Sequence, residues 1–389
     1  MRRRVAVLTT GRQDYGILRS TLLLLRQDAG FELLLVAAGM CLSEEHGTPV
    51  REIEQDGFRV TKRIAWPVEA YSSPAAQMAQ MMLEIPDFIA QREPQYMVLV
   101  GDRYETAAAA LAVTISCVPL VHLHGGEESE GAFDNQLRHA ITKMAHLHLV
   151  SNPRHAARII QMGEDSSSVH VVGAPGCDNF LRDDLAGREE LERRLQIALI
   201  PPVVLVTLHP ATLSPAGASS EVDAVLGAMR QVQATYVVTL PNSDLGNQAI
   251  RERFFEVAGS WPRMAITPAL GTRHYCSLMR IADALLGNSS SALIEAPFSG
   301  TPAVNVGERQ QGRLRPVNVI DVAAEASAIT GALRKALSPQ FQASALASRT
   351  EHGRPAAEAI TNVLRNWNPP SPPRKRFVET PELICRANS

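Results

Sequence analysis

The sequence predicts an α/β protein made of two Rossmann-like, doubly wound domains that face each other across a cleft. Three observations predict it. Short apolar, β-branched runs alternate with longer segments of helical spacing, which is how a parallel sheet with crossover helices reads. The series of runs is interrupted at the polar segment Arg182 to Gln196 and then starts again. Finally, 389 residues with 45% hydrophobic and 20% charged side chains suffice for two cores.

In the first half the expected strands are Val5 to Thr9, Leu33 to Ala37, Tyr96 to Val100, Leu120 to Leu123, Leu147 to Val150 and Val169 to Val172. In the second they are Val203 to Thr207, Tyr236 to Thr239, Met264 to Ile266, Ala284 to Leu286 and Ala303 to Val306. GAPGCDNF and IPP break the periodicity between Gly173 and Pro202. The expected organisation is therefore an N-terminal domain over 1–180, a C-terminal domain over 181–368 and an unstructured tail over 369–389. In the tail, NPPSPPRKR cannot continue a helix, because consecutive prolines remove amide donors and block helical geometry.

Composition excludes several partners. A net charge of −2 gives no broad attraction to nucleic acid or an anionic membrane, so any phosphate must be met by local groups. Five scattered cysteines, Cys41, Cys117, Cys177, Cys276 and Cys385, form no CxxC pair, which argues against a disulfide framework or zinc ribbon and fits a reducing cytoplasm. The N-terminal MRRR runs into VAVLTT, but Arg12 and Asp14 follow too soon for a signal peptide or membrane span.

Ligands of open α/β sheets bind beyond the carboxyl ends of the strands, so strand exits carry the functional weight. TTGRQDYG, residues 9–16, leads from the first strand into a helix N-terminus that attracts phosphate, with Arg12 as a forked cation. The plainer reading is a strand-to-helix turn capped by Asp14. One glycine before the helix leaves no GxGxxG dinucleotide fingerprint. GDR, Gly101 to Arg103, places Asp102 at a strand exit as a candidate base that Arg103 could hold ionised; a helix-capping Asp paired with Arg is the structural alternative.

The densest segment is HLHGGEESEGAFDNQLRHAITKMAHLH, residues 122–148. His122 and His124 alternate along a strand and so share a face, while Gly125 and Gly126 permit close backbone approach to a ligand. Glu127, Glu128, Glu130 and Asp134 follow, and Asp134 and Arg138 are i, i+4 neighbours at a helix start. Carboxylates and imidazoles so gathered can tune one another for proton abstraction. HxH could instead be a metal pair, but no HExxH or Cys/His spacing completes a ligand set, and no metal is expected. TLHP, residues 207–210, aims His209 at the exit of the first strand of the second half. GNSSSALIEAPFSGTPAVNVGERQQGR, residues 287–313, offers the amides and hydroxyls of Ser289 and Ser290 to a diphosphate, Glu295 to ribose hydroxyls, and Arg309 and Arg313 as cations.

Taken in order, TGRQDYG, GDRYE, HGGE with GAFDNQLRHAITK, TLHP, LPNSD and GNSSSALIEAP with GERQQGR closely resemble the hydrolysing UDP-N-acetylglucosamine 2-epimerases of sialic and legionaminic acid biosynthesis, over roughly residues 4–335. The resemblance implies a fold of the glycosyltransferase-B type with the nucleotide held mainly by the second domain, anti elimination of UDP to a 2-acetamidoglucal and hydration to the free manno-configured sugar, without a cofactor. It implies a homodimer acting on a UDP-linked 2-acetamido sugar, either UDP-N-acetylglucosamine or a UDP-2,4-diacetamido-2,4,6-trideoxyglucose.

The resemblance also makes Asp102 and Asp134 proton-transferring carboxylates, and it makes His209, Ser289, Ser290 and Glu295 contacts to phosphate and ribose. Arg12 and Arg313 become cations around the cleft, and Asn242 lies in the second domain's LPN motif. Arg103 and Arg138 are counted with the substrate-binding cations. In one departure, some relatives read HIEGGE, with a catalytic glutamate where this chain has His124. Glu127 takes over that task or His124 itself transfers protons. The competing functions are a UDP-sugar glycosyltransferase, a non-hydrolysing epimerase and a non-catalytic nucleotide-sugar sensor.

Overall fold

A computed structural model describes residues 2–43, 49–66, 73–130, 133–210, 217–241, 246–268, 270–350 and 355–379, without the side chains of Arg12, Gln13 and Thr350. The chain divides into two compact units: Met1–Glu127 with Asp134–Asp178 and Arg354–Ser389, and Glu128–Phe133 with Asn179–Gly353.

The first unit holds strands β1 (Arg3–Thr9), β2 (Phe31–Ala38), β3 (Val60–Ile64), β4 (Tyr96–Val100), β5 (Leu120–Leu123), β6 (Leu147–Val150) and β7 (Val169–Val171). Its helices are α1 (Arg12–Gln27), α2 (Val50–Gln55), α3 (Pro74–Arg92), α4 (Tyr104–Ile115), α5 (Asp134–Met144) and α6 (Pro153–Gln161). The second unit follows with α7 (Arg188–Leu195), β8 (Val203–Thr207), α8 (Ala218–Gln231), β9 (Thr235–Thr239), α9 (Asn247–Ala258), β10 (Met264–Thr267), α10 (Gly271–Ile281) and β11 (Ala284–Gly287). It continues with α11 (Ser291–Ile294), α12 (Ala296–Ser299), β12 (Ala303–Val306), β13 (Val319–Val322), α13 (Ala326–Ala336) and α14 (Pro339–Ala347). Helix α15 (Ala357–Asn366) returns to the first unit.

Both sheets are parallel, in the orders β3-β2-β1-β4-β5-β6-β7 and β10-β9-β8-β11-β12-β13. Side chains of a strand alternate between its two faces. Val5 and Val7 therefore enter one core cluster while Ala6 and Leu8 enter another. In the second sheet Val204 and Val206 part in the same way from Val203 and Leu205. The eleven expected strands coincide with observed ones, edges β7 and β10 included, and the central ones stand out because a strand covered on both faces reads as an unbroken apolar run. The two strands without a sequence signal, β3 (VTKRI) and β13 (VIDV), are sheet edges that carry Lys62 at a half-buried position and Arg63 and Asp321 at exposed ones.

Two departures concern the C-terminal part. The sequence reading assigns 181–368 to one domain, but α15 adds Ile360 and Leu364 to the core around α1 in the first unit. Asp178 accepts the amide N–H groups of Ala356 at 2.7 Å and Ala357 at 3.2 Å, fixing the start of α15. Residues 369–379, expected to be unstructured, are non-helical as the prolines require, yet they are docked on the first unit. Val378 donates its amide to the Gly163 carbonyl at 2.9 Å, and Lys375 pairs with the buried Glu164. Phe377 lies against Gly163, whose φ of +85° and lack of a Cβ make room for the ring. An extended segment that docks through isolated side chains leaves no periodicity to read.

Glu164 also accepts from Lys143 at 2.5 Å and from His148 at 3.1 Å. Burial alone would raise its pKa, but the bonds from His148, Lys143 and Lys375 outweigh burial and hold it down to about 2. A carboxylate held below its ordinary value of 4.5 contributes stability above that pH and loses it as pH falls toward 2. The difference corresponds to about 3 kcal/mol. Urea titrations should accordingly show the stability gap between the wild type and Glu164→Gln narrowing by roughly that amount between pH 6 and pH 2.5; a gap independent of pH refutes this account.

Candidate active site

Strand order reverses at β1/β4 in the first sheet and at β8/β11 in the second. Loops leaving the carboxyl ends of these strand pairs diverge to opposite faces and open a crevice suited to ligands. The motifs that follow β1, β4, β8 and β11 are TTGRQDYG, GDR, TLHP and GNSSS.

At the β1 exit, Gly11 rather than Asp14 occupies the N-cap of α1. Asp14 turns back to accept the Thr10 amide at 2.8 Å and its hydroxyl at 2.6 Å, and burial pushes its carboxyl above the usual carboxylate range against those two bonds. Arg12 is the first residue of α1, and its side chain lies outside the described atoms.

At the β4 exit, Gly101 has φ +74° and delivers Asp102 to the sheet edge. Arg103 does not hold Asp102 in the way the sequence reading allowed. It forms a two-pronged pair, 3.1 Å at each prong, with Glu105, whose wholly buried carboxylate needs a cation close by. The partner of Asp102 is Arg138 on α5. Arg138 is 1% exposed, and it also donates to the Glu127 carbonyl at 3.0 Å and to Asn135 Oδ1 at 3.1 Å. Arg138, expected among the substrate-binding cations, is thus a buried tie between the β4 exit, the GGE loop and α5. Asp134 is the first residue of α5 and is partly exposed.

His122 and His124 do not share a face. His122 ends on β5, with Nε2 2.8 Å from the Gly101 carbonyl and Nδ1 3.1 Å from the Thr142 hydroxyl. A carbonyl only accepts, so Nε2 carries the hydrogen and the Thr142 hydroxyl donates to Nδ1. Burial depresses this imidazole to about 3, which keeps it neutral. With both nitrogens engaged it is a structural group, and the metal-pair reading of HxH loses one ligand. His124 has left the strand at φ +64°, and its Nδ1 lies 2.7 Å from Glu127 Oε1. Both members of this pair are buried.

Gly125 and Gly126 are closely packed by neighbouring groups. A Cβ at Gly125 would lie 2.9 Å from the Thr142 hydroxyl, and one at Gly126, where φ is +73°, 2.4 Å from the His155 carbonyl.

In the second unit the β8 and β11 exits are locked together by Asn288, a residue the sequence reading did not single out. Its Oδ1 accepts the His209 amide at 2.7 Å, and its Nδ2 donates to the His209 carbonyl at 2.8 Å. Its own carbonyl accepts from Arg309 at 3.1 Å and Gln310 at 2.8 Å. Gly287, at φ +136°, brings the two exits into contact: a Cβ there would lie 2.0 Å from the Thr207 carbonyl oxygen. An asparagine after a strand-end glycine was the available signal. Ser289, Ser291 and the Tyr275 hydroxyl form a chain, with 3.0 Å between the serine oxygens and 2.7 Å from Ser291 to Tyr275.

Ser290 stands at the N-cap position of α11 without a side-chain capping bond, and Glu295 is the joint between α11 and α12 rather than a residue inside one longer helix. Pro297 explains the break, since proline is accommodated in a first turn but not in an interior. Arg313 donates to Ser129 at 3.1 Å, and Glu130 N–H to the Gln311 carbonyl at 3.1 Å, both within this unit. Asn242 lies outside the described residues.

Two parallel sheets, each with its strand order reversing at a central switch point, define a doubly wound α/β protein with ligand crevices at the strand exits. Residues 24–365 match the family described as UDP-N-acetylglucosamine 2-epimerase, and the chain belongs to that family. It is 34% identical over 341 residues to the UDP-N,N'-diacetylbacillosamine 2-epimerase (hydrolyzing) of Legionella pneumophila, covering 87% of this chain and 89% of that protein. It is 32% identical over 347 residues to the GDP/UDP-N,N'-diacetylbacillosamine 2-epimerase (hydrolyzing) of Campylobacter jejuni, covering 88% and 89%. The fold matches the crystal structure of the Neisseria meningitidis UDP-GlcNAc 2-epimerase bound to UDP-GlcNAc with a TM-score of 0.79 at 14% identity, over 94% of this chain and 100% of that one.

Removing one partner of a buried ion pair strands the other. Arg138→Met should cost about 3 kcal/mol in chemical denaturation, and Arg138→Met with Asp102→Leu should cost less than the two single changes summed. Additive costs would mean that the pair is not coupled.

Proposed function

We propose that this chain is a hydrolysing nucleotide-sugar 2-epimerase that converts a UDP-linked 2-acetamido sugar and water to UDP and the free 2-epimeric sugar. The sequence likeness to two relatives named as hydrolysing epimerases, over nearly nine-tenths of each chain, carries this reading. The first substrate to test is UDP-N,N'-diacetylbacillosamine, named for both. UDP-N-acetylglucosamine comes second, named for a Neisseria meningitidis relative at 26% identity over 388 residues.

Breaking the anomeric C–O bond leaves charge on UDP, which fixed donors at the β8/β11 switch point, namely Ser289, Ser290 and His209 with Arg313, are suited to stabilise. Glu295 and Asn242 complete this nucleotide-binding set, and Arg12 and Arg103 contribute positive charge in the first unit. The C2 proton is only weakly acidic, so its removal must accompany loss of UDP. Asp102, ion-paired with Arg138 at the β1/β4 switch point, accepts it, and Asp134 handles a further proton. Elimination to a 2-acetamidoglucal followed by hydration needs no nicotinamide.

We place the enzyme in the cytoplasm, where the free thiols Cys41, Cys117, Cys177 and Cys276 stay reduced. Among the described residues no helix is long and apolar enough to cross a membrane. The protein acts as a homodimer in this reading. Leu111 and Ile115, one turn apart on α4 and 45% and 65% exposed, with Leu83 at 68% on the adjoining α3, supply an apolar face for a second copy.

Incubation with each UDP-sugar in deuterated water should give free UDP and a free sugar carrying deuterium at C2 by NMR. An epimeric UDP-sugar or transfer to an acceptor would overturn the reading. Asp102→Asn should lower kcat by ~100-fold or more while UDP still binds. In sedimentation, the wild type should run at twice the chain mass and Leu111→Asp with Ile115→Asp at one.

A further inference from the structure

The reaction proposed above, on which this inference rests, leaves charge on UDP beside the β8/β11 switch point. Ser289 stands there, and what its hydroxyl can do for that charge depends on where its single hydrogen goes. A hydroxyl has one hydrogen to give and two lone pairs with which to accept. A serine whose hydrogen is committed to the protein can only accept, and so can a diphosphate. Ser289 therefore acts as a donor when its neighbours fill its lone pairs and leave its hydrogen unclaimed.

The neighbours are Ser291 and, behind it, Tyr275 on α10. The Ser291 hydroxyl lies 3.0 Å from Ser289 Oγ and 2.7 Å from the Tyr275 hydroxyl, and the Ser291 amide donates to Ser289 Oγ at 3.4 Å. A phenol oxygen bears negative charge more easily than an alcohol oxygen, which makes a phenol the better donor, so Tyr275 donates to Ser291. Ser291 then has its own hydrogen left to give to Ser289. That hydrogen and the Ser291 amide take both lone pairs of Ser289 Oγ, and the Ser289 hydrogen is turned out of the chain. Burial raises the phenol above its ordinary value of 10.0, so Tyr275 keeps the hydrogen on which this order depends. The Thr207 hydroxyl at the end of β8 bonds the phenol oxygen from the other side and lies 2.6 Å from the Thr239 hydroxyl at the end of β9. Ser291, Thr207 and Thr239 are buried, which shields the chain from solvent. Hydroxyls joined in one direction polarise one another, each making the next a stronger donor.

We propose that Tyr275 is a positioning residue for the loss of UDP: acting through Ser291, it turns the Ser289 hydroxyl outward as a strengthened donor to the diphosphate. When the C1–O bond breaks, its electron pair stays on the β-phosphate oxygen, and the diphosphate carries charge that the sugar-linked form lacks. A fixed donor aimed at that charge stabilises the departing UDP more than the intact UDP-sugar, and so lowers the barrier. No proton changes owner along the chain.

Full-length Tyr275→Phe removes one oxygen and keeps the ring. UDP affinity is measured by calorimetry, and turnover by UDP release from the UDP-sugar in a single turnover. In Tyr275→Phe the dissociation constant for UDP should rise about 10-fold and the single-turnover rate should fall by a similar factor, while the UDP-sugar concentration that half-saturates it changes by less than about twofold. Ser291→Ala cuts the same chain one link further on and should give the same losses, and the two changes together should lose no more than either alone. Should Ser291→Ala not fold, as judged by its melting curve, the Tyr275→Phe values decide. A role confined to packing would lower the melting temperature and leave UDP affinity and rate at wild-type values, which overturns the inference. Equal weakening of UDP and UDP-sugar overturns it too, because the donor would then serve both charge states alike, as do additive losses in the double variant. A wild type that binds UDP but releases none from either UDP-sugar defeats the reaction assignment itself, and the UDP titration of Tyr275→Phe still decides whether the chain acts on the diphosphate.

Discussion

A guanidinium cannot shed its charge inside a protein, so wherever Arg138 is buried its surroundings must answer it. Here the answer includes the Asp102 carboxylate, the Glu127 carbonyl and the Asn135 amide oxygen, drawn from the β4 exit, the GGE loop and the first turn of α5. Because the ion is costly to strand, the three segments hold a common geometry. Neutral His122 extends this order by fixing the Gly101 carbonyl from the other side.

The second unit solves the same problem without charge. Asn288 meets the His209 peptide with both ends of its side-chain amide, and its own carbonyl receives Arg309 and Gln310. Gly287 is required because the Thr207 carbonyl occupies the space of a side chain. Each unit thus ties two strand exits together through one buried polar side chain, β4 to the loop after β5 in the first and β8 to β11 in the second. Only the first does so with an ion, and only there is proton transfer proposed.

The parts of this structure legible in the sequence are those that repeat. Central strands such as Val203–Thr207 announce themselves because both faces are covered, whereas Val60–Ile64 and Val319–Val322, open on an edge, carry polar residues and vanish into the background. Motif residues at strand exits were legible through position alone, but their partners were not. Asp102 was paired with its neighbour Arg103 on proximity in sequence, while the fold supplies Arg138, thirty-six positions on, because Glu105 claims Arg103. The shared face assigned to His122 and His124 assumed that the strand continued, and one left-handed residue ended it. Glycines 125 and 126 were read for a ligand and prove to be needed by Thr142 and His155.

The return of the chain to its first unit bears on how the protein is made. Ile360 and Leu364 belong to the same core as Val5 and Leu22, and Asp178 waits on amides at Ala356 and Ala357. On a ribosome, domains ordinarily form in the order of synthesis. In this protein the amino-terminal core cannot close until α15 has emerged, so the whole of residues 179–353 is translated while that core is open. The unit begun first is completed last, and its unfinished apolar face is what chaperones would meet.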